Sequence, residues 1–275
     1  MAQIPRRALA ASALLLFCIG TTRAASAPEL FPLPPLAPVE TGTYRARESS
    51  GGRELWRVGW VLQRHNENGR TLLELREEGS GSLDGTVPPS WTVRMTIDLW
   101  GNDPRLTSVR EARDGNGRPQ QVEHRDFSYA TGTGQITTTN LTTGRSEVAT
   151  VRLHARTFTA ELLPAVLRLL PTAKDQEMRF DLITRGGYSF GMLAKVIGRE
   201  RVEVPAGAFD CYKIEVDPTG FFGILADLTM QRIYMWHTVA APHFWVKYEG
   251  PLAGPASPQI IRELVRFDAV GDLGQ

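Results

Sequence analysis

The pattern with the sharpest chemical meaning is Gly187-Tyr188-Ser189-Phe190-Gly191, which fits Gly-x-Ser-x-Gly. In a nucleophile elbow, a serine hydroxyl sits on a sharp strand-to-helix turn beside backbone N–H groups, placed for acyl transfer. Candidate partners follow in a workable order: Asp210, Asp217 or Asp227, then His237 or His243. The downstream segment does not fit. Residues 192–204 contain Gly198 and end Val202-Glu203-Val204, a strand composition where the elbow needs a helix. A glycine-flanked β-hairpin tip is the expectation, with a serine hydrolase using Ser189 as the minor alternative.

Other reactive groupings are weaker. The histidines, His65, His124, His154, His237 and His243, are scattered, and no cysteine pair accompanies them, so no metal site is expected. Gly79-Ser80-Gly81 and Gly132-Thr133-Gly134 lack the other residues of a phosphate loop. Glu77 and Glu78 are adjacent and on a strand would point to opposite faces. Cys211 has no cation beside it in sequence to favour a thiolate and reads as a small buried hydrophobe. No cofactor is expected, and the chain is read as a non-enzyme.

Apolar material in glycine-flanked segments is more informative. Phe221 and Phe222 follow Gly220 where a hairpin tip should be polar, and Tyr188 and Phe190 lie in a similar setting. Residues 221–248 hold seven of the 23 aromatic residues, including Trp236 and Trp245. Such residues either fill the core of a large sheet or line an apolar cavity and its mouth. On the second reading Tyr188, Phe190, Phe221, Phe222, Trp236 and Trp245 form the binding surface, joined by Leu163 and Leu167 from a nearby helix.

The elements that must position them are mostly strands. Trp91, Val93, Met95, Ile97 and Leu99 alternate with Thr92, Arg94, Thr96 and Asp98, the period of a sheet with one apolar face. Turn residues such as Asn66-Glu67-Asn68-Gly69 and Asp114-Gly115-Asn116-Gly117 separate the runs, so consecutive strands form an antiparallel meander. Strands are predicted near 41–48, 54–64, 70–77, 90–100, 106–113, 118–130, 134–139, 145–153, 177–185, 190–204, 208–217, 226–237, 243–249 and 259–267. Leu162, Leu163, Val166, Leu167 and Leu170 share one helical face, with Pro164 tolerable in the first turn and Pro171 a stop, so a helix is predicted over 161–170. A helix this short needs the sheet's apolar face for support. A sheet of so many strands must curl. The expected fold class is mainly β: one large curled antiparallel sheet, a half-barrel, enclosing one short α-helix.

Residues 1–24 have the three parts of a secretory signal: Arg6-Arg7, a twelve-residue apolar stretch from Ala8 to Ile19, and Thr22-Arg23-Ala24. That stretch spans about 18 Å as a helix, too short for a hydrocarbon core of roughly 30 Å, so no membrane span is expected in the mature chain. Anchoring as a lipoprotein through Cys18 is disfavoured because Phe17 precedes it where a small residue is required. Residues 25–40 read as a proline-rich linker, 41–268 as a single domain and 269–275 as a tail. The 275 residues carry 31 Lys+Arg and 30 Asp+Glu, which become 28 and 30 once the signal is removed. That balance argues against a nucleic-acid partner.

The stretch Val204-Pro205-Ala206-Gly207-Ala208-Phe209-Asp210-Cys211-Tyr212-Lys213-Ile214 resembles the V-P-A-G-x-F-x-C/A-x-K/R-I hairpin of a family of uncharacterised periplasmic proteins. Tyr234-Met235-Trp236 and the strand from Pro242 to Glu249 resemble the family's next two strands. The similarity covers most of 41–268 and is specific over 204–249; the 28–38 proline segment and the Phe221–Leu225 loop have no counterpart in it. That family is similar in architecture to the lipoprotein carrier (LolA-like) half-barrels, whose concave sheet shelters acyl chains. The resemblance therefore implies periplasmic localisation and binding of a lipid or other hydrophobic molecule, and it carries over no catalytic residue. A periplasmic protein-interaction module, engaging an envelope protein partner by a sheet edge or the proline tether, is the alternative.

Overall fold

The computed structural model describes residues 32–67, 70–81, 88–99, 103–172, 176–184, 186–219, 232–252 and 257–270. Strands β1 (Val39–Glu48), β2 (Glu54–Glu67), β3 (Arg70–Gly81), β4 (Ser90–Asp98), β5 (Arg105–Arg113), β6 (Pro119–Ser128), β7 (Thr133–Asn140) and β8 (Ser146–Arg152) form one arm of the sheet. After β9 (Thr157–Thr159) and a helical segment, the other arm follows: β10 (Glu177–Ile183), β11 (Ser189–Val204), β12 (Gly207–Pro218), β13 (Ile233–Thr238), β14 (Trp245–Pro251) and β15 (Gln259–Val270). All fifteen join a single sheet, in the order β8-β7-β6-β5-β4-β3-β2-β1-β15-β14-β13-β12-β11-β10-β9. Every pairing is antiparallel except β9 with β10. The mainly-β, curled-sheet expectation holds.

Alternation drives these strands. In β4, Trp91, Val93, Met95 and Ile97 are buried while Arg94 and Thr96 are exposed, as a sheet with one face on the core requires. The register places inward residues in rows across the sheet. One such row runs Trp60–Glu77–Val93–Arg110–Glu123 from β2 to β6. The three-residue β9 is too short to show a period and reads as a loop in sequence, yet its Phe158 is fully buried.

The curl follows from chain connectivity. Strands β8 and β9 stand at opposite ends of the sheet order, but only residues 153–156 join them. Laid flat, fifteen strands would be about 67 Å across. The connection reaches about 18 Å at most. The sheet must bend until its edges are neighbours. Side chains then knit the seam: Tyr129 Oη donates to the Thr157 carbonyl at 2.7 Å, and Arg125 pairs with Glu161 at 3.1 Å. Gly187, at φ +79° in the β10–β11 turn, comes so close to β8 that a Cβ there would lie 3.1 Å from that of Ala149. Among the described residues no backbone ladder joins β8 to β9.

The α-helical part of the segment is shorter than predicted, and the segment is shifted two residues toward the C-terminus. Helix α1 covers only Leu163–Val166, with Pro164 in its first turn, and Leu167–Thr172 continues as a 3-10 helix that contains Pro171. Pro171 therefore does not end the helical segment before itself. So short an element gains little from its own hydrogen bonds, and packing sets its pitch. Leu163, Val166, Leu167 and Leu170 are buried against the inner face. Arg168, on the same segment, reaches Glu40 on β1 with two hydrogen bonds of 2.8 and 2.7 Å. The end of the expected linker packs here as well: Leu36 and Ala37 are buried, and the Ala37 N–H donates to Glu40 Oε1 at 3.0 Å.

Candidate functional site

The glycine-flanked serine does not sit on an elbow. Ser189 opens β11 opposite Ile183 of β10, and the turn between them is closed by Thr184 N–H to the Tyr188 carbonyl at 2.9 Å. The chain continues as a sixteen-residue strand, so the strand-to-helix turn that would expose the hydroxyl is not formed. Tyr188 is 71% exposed on that turn, and Phe190 is half-buried against the core.

The other expected cavity residues divide between two faces. Leu163, Leu167 and Trp245 are buried on the inner side, with the Trp245 ring 4.4 Å from that of Tyr44. Trp236 lies on the outer face, in a separate cluster with Val202, Cys211 and Val246, and its Nε1 donates to Glu200 at 2.5 Å. Lys213 and Lys247 stack on it, with Nζ 5.3 and 4.9 Å from the ring centroid. Phe221 and Phe222 lie outside the described residues. Cys211 is fully buried; that burial, reinforced by the Asp210 and Glu200 charges, pushes its thiol up to about 12, which suits a packing role.

His237 is buried at the end of the sheet where β13 meets β14. Its Nδ1 is 2.8 Å from the His243 carbonyl and its Nε2 has no partner. Burial pushes its pKa down to about 3, overcoming the His243 carbonyl bond, and the nearby Arg168 charge lowers it further. The folded state thus binds this proton more weakly than the unfolded chain, whose histidines titrate near 6.5. The resulting stabilisation is complete above about pH 6.5 and declines by about 1.4 kcal/mol per pH unit down to about pH 3. Urea melts at pH 7, 6 and 5 should show a shallower loss for His237→Asn than for the parent chain; equal slopes would refute the assignment.

The feature sequence reasoning missed is Arg262. It stands on β15 between Ala46 of β1 and Tyr248 of β14, facing inward. Its guanidinium carbon lies 4.6 Å from the Trp245 ring centroid, 4.7 Å from that of Trp56 and 5.8 Å from that of Tyr44. Among the described residues it makes no hydrogen bond or ion pair, and its Nε is buried without a partner. Desolvation pulls its pKa below the ordinary arginine value, against the opposing pull of the Glu77 charge. The hydroxyls of Tyr44 and Tyr248 are committed elsewhere, donating to the Trp245 and Pro251 carbonyls at 2.8 and 2.7 Å. Arg262 and Tyr248 nonetheless keep accessible surface, whereas Tyr44, Trp56, Val58 and Trp91 on the same inner wall are buried. The only signal in sequence was an arginine at an apolar position of the run Ile260-Ile261-Arg262-Glu263-Leu264.

Most inner charges have partners. Arg125 pairs with Glu123 at 2.8 Å as well as with Glu161, and Arg168 with Glu40. No helix among the described residues is long and apolar enough to cross a membrane, and no group of three potential metal ligands occurs among them.

A single, almost wholly antiparallel sheet curled edge to edge around the one short helical segment among the described residues defines a β-barrel-like protein. Residues 73–249 match the family described as Protein of unknown function (DUF3108), and the chain belongs to that family. No curated protein matches it. Among solved structures, the β-barrel-like protein of domain of unknown function DUF1849 from Brucella abortus is similar at TM-score 0.52 and 9% identity, covering 86% of this chain and 99% of its own. A looser likeness, at TM-score 0.35 and 11% identity over 86% and 99% of the two chains, is to a Bacteroides fragilis protein assigned as exported and YmcC-like in fold. Another, at TM-score 0.34 and 10% identity over 87% and 98%, is to a protein assigned as a lipoprotein from Parabacteroides distasonis.

Proposed function

We propose that this is an exported cell-envelope protein, non-enzymatic, whose curled sheet binds or shields a lipid or other hydrophobic molecule on its inner side. The observation that carries this reading is the accessible surface kept by Arg262 and Tyr248 within an otherwise buried, largely aromatic wall. Apolar surface taken from water there contributes about 25 cal/mol per Å². The signal-like residues 1–24 favour export and a periplasmic location, and the half-barrel carriers offer a working analogy for acyl shelter. Mass spectrometry of the non-denatured protein purified from the envelope should show a co-purifying lipid. The delipidated protein should then bind a neutral lipophilic fluorophore. Absence of both would overturn the reading.

A protein-interaction role has its own support. Strand β8 has one edge without a ladder partner among the described residues, and Val148 on it is 62% exposed. An added strand from an envelope protein would pair there. A stoichiometric polypeptide in the same mass spectra, with no lipid, would favour it.

A further inference from the structure

We infer that Arg262 is a recognition residue for a single anionic group, carboxylate or phosphate, carried by an acyl-type ligand inside the curled sheet. This rests on the lumenal reading above and names the chemistry of its polar end.

The geometry is specific. Trp56 and Trp245 both take the guanidinium within 5 Å of their ring centroids, so two aromatic faces hold it. A guanidinium stacked on its faces keeps its in-plane N–H edge for hydrogen bonding, the edge that matches carboxylate or phosphate oxygens. Among the described residues no hydrogen bond or ion pair occupies that edge, and its Nε is buried without a partner. The pattern differs from Arg125 and Arg168, which sit in the same interior with carboxylates 2.7–3.1 Å away. Donors left open on an enclosed aromatic wall are satisfied by an acceptor that enters with the ligand. The helical segment, anchored through Arg168 to Glu40 early in β1, lies away from the Glu48 end of that strand. Arg262, paired with Ala46, is two residues from that far end. An acyl chain would run along the apolar wall with its charged head at Arg262.

The test compares twelve-carbon probes on the delipidated full chain at pH 8, read by intrinsic tryptophan fluorescence and by displacement of a neutral lipophilic fluorophore. Dodecanoate and dodecyl phosphate should bind at least about tenfold more tightly than dodecanol, and Arg262→Gln should abolish that preference. The parent-chain comparison stands even if the variant fails to fold, and near-ultraviolet circular dichroism reports whether it has. Equal affinity for dodecanoate, dodecyl phosphate and dodecanol overturns the inference and leaves the lumenal reading intact. Binding of none of them overturns both. Acetate or inorganic phosphate competing as tightly as the acyl compounds would retain anion recognition and overturn the acyl-linked ligand.

Discussion

Replacing Glu40 with alanine is expected to lower stability by about 3–5 kcal/mol, one of the largest losses among single substitutions in this protein. Glu40 is fully buried and Arg168 nearly so, and the two share paired hydrogen bonds of 2.7 and 2.8 Å. Removing the carboxylate leaves a guanidinium in the interior with, among the described residues, only the Pro35 carbonyl at 3.4 Å. It also takes the acceptor from the Ala37 N–H, so the segment before β1 loses its tie to the core. Breaking such a pair on one side is costly because the surviving charge stays desolvated. The double replacement Glu40→Leu with Arg168→Leu should therefore recover much of the loss. Chemical denaturation of the two single variants and the double variant measures this directly, and a single-variant loss below about 1 kcal/mol would refute the account.

Phe158→Ala should cost about 3–5 kcal/mol, the range for deleting a buried phenylalanine. Phe158 has no exposed surface and its ring centroid is 6.1 Å from that of Phe180. Its position sharpens the expectation. It belongs to the three-residue strand that meets the far edge of the sheet, so the cavity opens at the seam. Hydrogen exchange should quicken in β9 and β10 beyond the global loss of stability, while the β2–β3 pair changes only with it. Uniform acceleration across the sheet would show that the seam has no special dependence on this ring.

Much of the architecture was legible because a strand with one buried face writes its period into the sequence. Strands β4 and β5 show the alternation plainly, and their observed ends, 90–98 and 105–113, lie close to the predicted ones. What escaped was decided by tertiary contact. β9 has three residues and no room for a period, and the helical segment switches to 3-10 geometry under packing that local sequence does not encode. The candidate site was less legible. An aromatic count could not tell that Trp245 faces inward and Trp236 outward, because a bulge between Trp236 and His237 shifts the register there. Arg262 reads in sequence as a polar break in an apolar run; only the fold brings Trp56 from β2 and Trp245 from β14 onto it.

The pairing of β1 with β15 has a consequence for how the molecule is made. These strands run side by side from Val39↔Val270 to Glu48↔Ile260, joining two arms that otherwise grow by neighbouring hairpins. A ribosome or translocation channel delivers β1 early, yet its mate arrives only after every other strand has emerged. Until then both arms carry raw edges where the finished sheet has its middle, and a nascent chain needs protection from strand-to-strand aggregation. The same closeness of Val39 and Val270 makes this a natural place to splice the termini and cut new ones in an exposed turn.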